Sequence, residues 1–245
     1  MNLLCGILAS INALEGNFQT SFLLILAAAC FDFLDGFAAR ALGAYSDLGK
    51  ELDSLCDNVS FGLAPSLMMF VWMNGCPGTE YRILAYVTLL PALFSALRLA
   101  KFNTDSRQSV DFIGLPVPGM AMVAAPAMAF VQYSAQCNCG CSLFLCNLVS
   151  TRWFLPAMAV ALSYLMISEI PMFSLKHKKF SFKEFPKGMV FLCCFVAVFV
   201  FYTLRGVLSP MGADFLHGAF PLTISTAFLI YILINLVTCR HGGNA

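Results

Sequence analysis

Long apolar runs recur along this chain of 245 residues, and most are long enough to cross a lipid bilayer. A transmembrane helix needs about 20 predominantly apolar residues. Such runs occupy residues 20–43, 54–74, 82–101, 117–135, 153–171, 188–207 and 218–238, and a shorter run occupies residues 1–15. Because the hydrocarbon core offers no water to backbone polar groups, the runs must form helices. We therefore predict an all-α polytopic membrane protein with about eight transmembrane helices.

The composition agrees with this class and excludes others. Hydrophobic residues make up 60% of the chain and charged residues 11%, and the mean hydropathy is +0.81. A soluble domain carries about 25% charged residues. The net charge of +1 leaves no basic surface for nucleic acid, so we expect no nucleic-acid partner.

The distribution of basic residues predicts the orientation of the helices. Eleven of the 14 lysines and arginines fall in one set of alternate loops, and the other set holds only Arg82, Arg152 and Arg205. Cytoplasmic loops of membrane proteins carry an excess of basic residues. We therefore expect both termini in the cytoplasm. The lysine-rich loop 176–187 (KHKKFSFKEFPK) would be a cytoplasmic connector that acts as a topology signal.

Four of the 11 cysteines cluster in CNCGCSLFLC, residues 137–146. Their C-x-C-x-C spacing differs from the paired C-x-x-C of zinc sites, and no histidine accompanies them. An external disulfide or unreactive thiols therefore explain this cluster better than a metal site.

Acidic residues concentrate where the second and third apolar runs meet. Six of the 13 acidic residues fall between positions 32 and 57. Asp32 and Asp35 are three residues apart and Asp53 and Asp57 four apart, so each pair shares a helical face. A short turn joins the two helices, and antiparallel neighbours can aim four carboxylates at one point. Asp32 would lie about 12 Å inside the cytoplasmic end of its helix.

Four clustered carboxylates repel one another unless cations offset their charge. Hard oxygen ligands suit Mg²⁺ or Mn²⁺, and two such ions about 4 Å apart suit phosphoryl transfer. Gly36 and Ala39 keep the helix slim beside the aspartates, and Arg40 is placed to meet a phosphate. We expect Asp47 and Glu51 to lie in the turn, in a solvated loop role.

Residues 32–57 contain the motif D-x-x-D-G-x-x-A-R, then eight residues, then G-x-x-x-D-x-x-x-D. This motif resembles the signature of the CDP-alcohol phosphotransferase family. The resemblance implies a reaction in which an alcohol attacks the β-phosphate of a CDP-linked lipid and CMP leaves. It also implies a core of six transmembrane helices, to which this chain adds two, and a homodimer.

Carried over by position, the resemblance implies a role for each fixed residue. Asp32, Asp35 and Asp53 would bind metal, and Asp57 would share the second ion and act as general base. The residues expected to border the CDP-lipid are Asp32, Gly36, Ala39, Arg40 and Gly49. Gly49 would also let the two helices approach each other.

Three further segments resemble the phosphatidylserine synthase branch of this family: ELDSLCDNVSFGLAPSLM (51–68), SALRLAKFN (95–103) and DFIGLPVPGMA (111–121). The similarity implies CDP-diacylglycerol as donor and L-serine as acceptor.

The second of these segments holds Arg98, Lys101 and Asn103, which we expect to recognise the serine carboxylate or lipid phosphates. The catalytic half would cover about residues 1–125. With the C-terminal helices, about 150–240, it would form a single transmembrane domain, 1–245.

Two alternatives stay open at this point. Glycerol 3-phosphate, inositol phosphate or another alcohol would use the same chemistry, but a phosphorylated acceptor requires more cationic groups near the metals. An ion-coupled transporter places its charged residues near the midplane of the membrane in two matching halves, and here they fall in one half. We expect an enzyme of a bacterial or archaeal cell (inner) membrane, with its active site facing the cytoplasm.

Overall fold

The computed structural model describes residues 1–43, 46–76, 79–104, 112–137, 149, 151, 153–172, 194, 196–200, 218 and 220–242. Its longer helices are α1 (Asn2–Leu14), α2 (Phe18–Leu42), α3 (Asp47–Asp57), α4 (Ala64–Asn74), α5 (Thr79–Ala85), α6 (Leu90–Thr104), α7 (Val117–Cys137), α8 (Phe154–Ile167) and α9 (Phe220–Gly242). A π-helical segment, Asn58–Leu63, joins α3 to α4, and a 3₁₀ turn, Tyr86–Leu89, joins α5 to α6. Two short strands, β1 (Phe112–Ile113) and β2 (Pro171–Met172), pair antiparallel.

The predicted class is confirmed, because the described part of the chain is helical apart from this one strand pair. Four stretches are long and apolar enough to cross a membrane: Phe18–Ala39, Asp47–Asn74, Arg82–Thr104 and Phe220–Val237. Helices α1 and α8 are apolar but shorter. The protein is an integral membrane protein, whereas the count of eight spans and their orientation stay predictions.

Three predicted features lie outside the described residues, in whole or in part. The lysine-rich loop 176–187 is one, and the cysteine cluster beyond Cys137 is another. Of the predicted span 188–207, residues 194 and 196–200 are described, and they are helical.

Local sequence signals end α2 and begin α3. Gly43 follows α2 with a φ of 62°, a conformation that glycine adopts without steric cost. Ser46 caps α3, and its hydroxyl accepts a hydrogen bond of 3.0 Å from the N–H of Gly49. Because this cap starts the helix at once, the prediction that Asp47 and Glu51 lie in a turn is wrong. Both belong to α3, and the negative charge of Asp47 in the first turn interacts favourably with the positive end of the helix dipole.

Helices α1, α2, α4 and α7 pack around a common core. Ala9 and Ala13 of α1 are fully buried, and so are Phe22 of α2 and Met68 of α4. In a membrane, helices associate through close van der Waals packing and interhelical hydrogen bonds, which small residues permit. The hydroxyl of Ser21 in α2 accordingly donates to the carbonyl of Ala9, at 2.9 Å.

The strand pair ties the start of α7 to the end of α8. Gly114 has a φ of 78°, and its N–H donates to the carbonyl of Ile170 at 2.9 Å. An added Cβ at this glycine would lie 2.6 Å from the carbonyl oxygen of Met166. The sequence shows no alternation here because each strand has only two residues.

Candidate active site

Three of the predicted metal ligands come together between α2 and α3. Asp32, Asp35 and Asp53 each place a carboxylate oxygen within 4.8 Å of the oxygens of the other two. Asp35 and Asp53 are exposed, and Asp32 is partly buried. Hard oxygen donors grouped at this spacing fit a divalent cation such as Mg²⁺ or Mn²⁺. The described residues therefore contain an acidic cluster that is able to hold a metal ion.

Asp57, the fourth predicted aspartate, lies beside these three carboxylates. Its carboxyl group lies close enough to those of Asp32 and Asp53 to interact with them electrostatically. Its Oδ1 accepts a hydrogen bond of 2.9 Å from Nδ2 of Asn2. It is thus a neighbour of the three-carboxylate group, with a protein hydrogen bond of its own.

A cavity of about 820 Å³ opens next to the carboxylates, and we call it the acidic pocket. Its lining residues come from α1, α2, α3 and the cap of α3: Met1, Asn2, Leu3, Asp35, Gly36, Ala39, Ser46, Asp47, Gly49, Lys50, Leu52, Asp53 and Cys56. A cavity of this size is typical of sites for ligands as large as a nucleotide. The predicted CDP-lipid residues Gly36, Ala39 and Gly49 all line it, whereas the side chain of Arg40 lies outside the described residues.

The packing of α3 explains why the pocket is open. This helix packs against α1, α6 and the π-helical segment rather than mainly against α2. Within 4 Å, a Cβ at Gly49 would meet only the hydroxyl of Ser46 among the described residues. The small residue therefore fits the cap of α3, and a close approach of α2 at this position is not observed. The gap between α2 and α3 is the pocket itself.

Asn2 is a site residue that sequence reasoning missed. Its side chain is only 3% exposed, although it begins an apolar helix. Nδ2 donates to Asp57, and Oδ1 accepts a hydrogen bond of 2.7 Å from the hydroxyl of Ser60. An asparagine at the head of the apolar run NLLCGILA was the available signal, because a buried amide requires hydrogen-bond partners.

A second group of polar residues begins at Asn58, which follows Asp57 in the chain, and we call the partly buried Asn58 and the buried Ser95 and Arg98 the buried polar cluster. The Ser95 hydroxyl is fully buried and donates to Oδ1 of Asn58. Arg98, one helical turn further along α6, is 6% exposed, and its guanidinium lies 5.3 Å from the ring centroid of Phe102. Arg98 also attracts Asp57 electrostatically. A buried charge inside a membrane protein commonly marks a functional site.

The three predicted recognition residues of α6 have different surroundings. Lys101 lies 3.9 Å from Glu169, which follows α8. Asn103 donates to the hydroxyl of Ser54 at 3.0 Å, and its own carbonyl accepts from Lys50 at 3.2 Å. The contacts of Asn103 hold the end of α6 against α3. Arg98 alone of the three is buried near Asp57, and the binding role of each stays a prediction.

The π-helical segment brings Asn58 of the buried polar cluster next to Ser95 of α6. It follows Asp57 directly, and a π-helical turn changes the direction in which successive side chains point. A Cβ at Gly62 in this segment would lie 2.9 Å from Oδ1 of Asn58 and 3.0 Å from Cβ of Ser95. Glycine therefore allows α6 to approach closely enough for Ser95 to reach Asn58.

Comparison with known proteins agrees with this geometry. A family model described as CDP-alcohol phosphatidyltransferase matches residues 1–165. The match includes both aspartate pairs, Asn2 and the buried polar cluster.

Several relatives carry the name CDP-diacylglycerol–serine O-phosphatidyltransferase. The protein from Bacillus subtilis is 39% identical over 128 residues, which are 50% of this chain and 68% of that protein. The protein from Mycobacterium leprae is 33% identical over 216 residues, covering 84% of this chain and 65% of the relative. The protein from Methanocaldococcus jannaschii is 32% identical over 170 residues, or 69% and 68% of the two chains. The matched regions thus span about two thirds of these relatives.

Proposed function

We propose the activity of this chain from one premise: it belongs to the CDP-alcohol phosphatidyltransferase family. The protein transfers the phosphatidyl group of CDP-diacylglycerol to the hydroxyl of L-serine, giving phosphatidylserine and CMP. The observation that carries the reaction type is the three-carboxylate group at the edge of the acidic pocket. The names of the relatives support the choice of donor and acceptor.

The acidic pocket suits the CDP part of the donor. Gly36 and Ala39 leave room beside the helix backbone, and Arg40 follows them on α2, where it would meet a phosphate. Asp32, Asp35 and Asp53 would hold two Mg²⁺ or Mn²⁺ ions with help from Asp57. When bound, these ions would offset the negative charge of the pyrophosphate.

Asp57 acts as the general base in this proposal. It accepts the proton of the serine hydroxyl while that oxygen attacks the β-phosphorus in line with the leaving group. The bond between the β-phosphorus and the bridging oxygen breaks, and CMP leaves with the electron pair. One displacement completes the transfer, so we expect no phosphatidyl-enzyme, and trapping one would contradict this mechanism.

Arg98 recognises the carboxylate of serine. It is buried, it lies near Asp57, and a guanidinium binds a carboxylate through two parallel hydrogen bonds. A phosphorylated acceptor would need further cations, and Lys101 already has an acidic neighbour in Glu169. The surroundings of Arg98 therefore favour serine over glycerol 3-phosphate or inositol phosphate.

The remaining parts of the proposal concern the whole chain: a single domain over 1–245, eight spans, cytoplasmic termini and a homodimer. The hydrogen bond between Asn2 and Asp57 supports the cytoplasmic N-terminus, because it keeps the N-terminus and the proposed cytoplasmic active site at the same face of the membrane. A reporter enzyme fused to the C-terminus tests the orientation. Light scattering of the purified protein in detergent tests the dimer.

An acceptor screen tests the reaction. The purified protein is incubated with CDP-diacylglycerol, Mn²⁺ or Mg²⁺ and one acceptor at a time, and CMP and the lipid product are measured. We expect phosphatidylserine with serine, and no CMP after chelation of the divalent ions. Turnover with glycerol 3-phosphate but not with serine would refute the acceptor assignment.

A matched pair of variants accompanies the screen. Asp53→Asn removes one carboxylate of the acidic cluster, and Glu51→Gln removes an exposed charge from the same helix. We expect the first to lose about 10²–10³-fold in activity, as removal of a group that stabilises transition-state charge does, and the second to retain it. If Asp53→Asn is as active as wild type and Glu51→Gln, Asp53 is not part of the site.

A further inference from the structure

The amide of Asn2 is held at both ends. The hydroxyl of Ser60 donates to Oδ1 of Asn2 at 2.7 Å and also lies 3.2 Å from its backbone carbonyl oxygen. An ionised carboxylate only accepts hydrogen bonds, so the amide nitrogen faces Asp57 and donates to its Oδ1 at 2.9 Å, which leaves Oδ1 of Asn2 to accept from Ser60. Asn2 is 3% exposed and Ser60 is fully buried, so this orientation is protected from water.

Backbone packing holds the two partners in place. Gly6 lies one turn along α1 from Asn2, and a Cβ there would lie 2.8 Å from the Cα of Ser60. Only a residue without a side chain allows α1 to come so close to the π-helical segment. The close contact involves the backbone of Ser60, so a change of side-chain rotamer cannot relieve it. The position of Asn2 relative to Asp57 is therefore set by the fold.

We infer that Asn2 is a positioning residue that acts through Asp57. Its neutral N–H donor holds one carboxylate oxygen of Asp57, which fixes the rotamer and leaves the other oxygen to receive the proton of the acceptor. An amide does this without adding a positive charge that would compete for the carboxylate. This inference rests on the role of Asp57 in the proposed function.

The expected effect is on turnover rather than on binding. Without the hydrogen bond the Asp57 carboxylate loses a contact that fixes its rotamer, and a misplacement of about 1 Å costs about 10²-fold in rate. We expect Asn2→Ala to lower kcat about 10- to 100-fold, with the KM values for CDP-diacylglycerol and acceptor within about threefold of wild type. The affinity for CDP-diacylglycerol, measured by calorimetry without acceptor, should change as little.

Asn2→Asp separates hydrogen bonding from packing. Aspartate keeps the size of the side chain and still accepts from Ser60, but it has no donor for Asp57 and brings a like charge beside it. We expect it to be at least as inactive as Asn2→Ala. If Asn2 only filled space, Asn2→Asp would be the more active of the two, and that result would overturn the inference.

Asn12→Ala is the matched control. Asn12 lies on the same helix, and its amide donates to the carbonyl of Leu8 at 2.8 Å, away from the aspartates. We expect its kcat and melting temperature to stay near those of wild type. All variants carry any purification tag at the C-terminus, so that the start of α1 is unaltered.

Ser60→Ala keeps the inference testable if Asn2→Ala does not fold. It leaves Asn2 in place but removes the hydroxyl that orients its amide, and we expect a smaller loss of kcat in the same direction. If both variants fold, their effects should combine less than additively, because both act on one hydrogen-bond chain.

Three further results would also overturn the inference: a folded Asn2→Ala with kcat within about twofold of wild type, a raised KM for the donor at unchanged kcat, or unchanged kcat in Ser60→Ala when Asn2→Ala fails to fold. Each comparison is a ratio to wild type with the acceptor that wild type uses best. Failure of the serine assignment would therefore appear in wild type itself, separately from failure of the inference.

Discussion

The acidic pocket and the buried polar cluster each contain a residue that interacts electrostatically with Asp57, Asp53 in the pocket and Arg98 in the cluster, and they differ in how they are built. The pocket is an open cavity whose Asp35 and Asp53 side chains face solvent. In the cluster, Ser95 is fully buried and Arg98 is 6% exposed. One side is held open by small residues and a gap between helices, and the other is closed by tight helix packing.

The difference follows from what each side must bind in the proposed reaction. A nucleotide with its cations is large and highly charged. Cations can reach exposed carboxylates directly from the solvent and leave them again. Serine is small, and buried donors in a region of low dielectric constant discriminate strongly because an unmatched polar group there is costly. We therefore expect substitutions in the pocket to lower activity whatever the acceptor. Substitutions in the cluster should mainly change the kinetic constants for the acceptor.

The largest effect should come from Asp57, where the two sides meet. Asp57→Asn removes the proposed base at nearly unchanged size, and we expect about a 10²–10⁴-fold loss of kcat with the protein still folded. CMP release and the melting temperature in detergent measure the two quantities. Near-normal activity in this variant would exclude Asp57 as the base.

Gly62→Ala should damage the closed side through packing. The added methyl group would meet the side chains of Asn58 and Ser95, and overpacking of this kind costs about 1–3 kcal/mol. We expect a lower melting temperature and weaker serine use.

Gly75→Ala is its control, since the nearest atom to an added Cβ there is a carbonyl oxygen at 3.4 Å. Equal melting temperatures for the two variants would show that α6 and the π-helical segment are not tightly packed.

Arg98→Lys should change acceptor binding while sparing the donor. Lysine keeps the charge but loses the paired hydrogen-bond geometry of the guanidinium. We expect the KM for serine to rise about tenfold, as for the loss of one charge-assisted hydrogen bond, at an unchanged KM for CDP-diacylglycerol. If the KM for the donor rises instead, Arg98 binds lipid phosphate and the two sides are not separate.

Lys101→Gln should have the smallest effect. Its partner Glu169 is 72% exposed, and exposed ion pairs contribute about 0–1 kcal/mol to the free energy of unfolding. Steady-state kinetics should show a kcat/KM for serine within about twofold of wild type. A rise in the KM for serine as large as that of Arg98→Lys would return Lys101 to the acceptor site.

Much of the fold could be predicted because each transmembrane helix carries its own apolar run. The apolar run 20–43 corresponds to the observed helix Phe18–Leu42, and the run 117–135 corresponds to Val117–Cys137. The start of α3 was missed, since its polar first turns resemble a loop until the cap by Ser46 is recognised. The π-helical segment left no periodic signal, because its sequence NVSFGL is too short to reveal an altered helical period.

The sequence by itself determined the class of the protein and the acidic cluster. Apolar runs require helices, and spacings of three and four residues place aspartates on one helical face, which are local rules. Only the tertiary structure decided which polar residues meet Asp57. Asn2 lies 55 positions away from it in the chain, and Ser95 lies 37 positions from Asn58. Such pairs depend on how helices cross and how closely glycines let them approach, and no local pattern encodes that geometry.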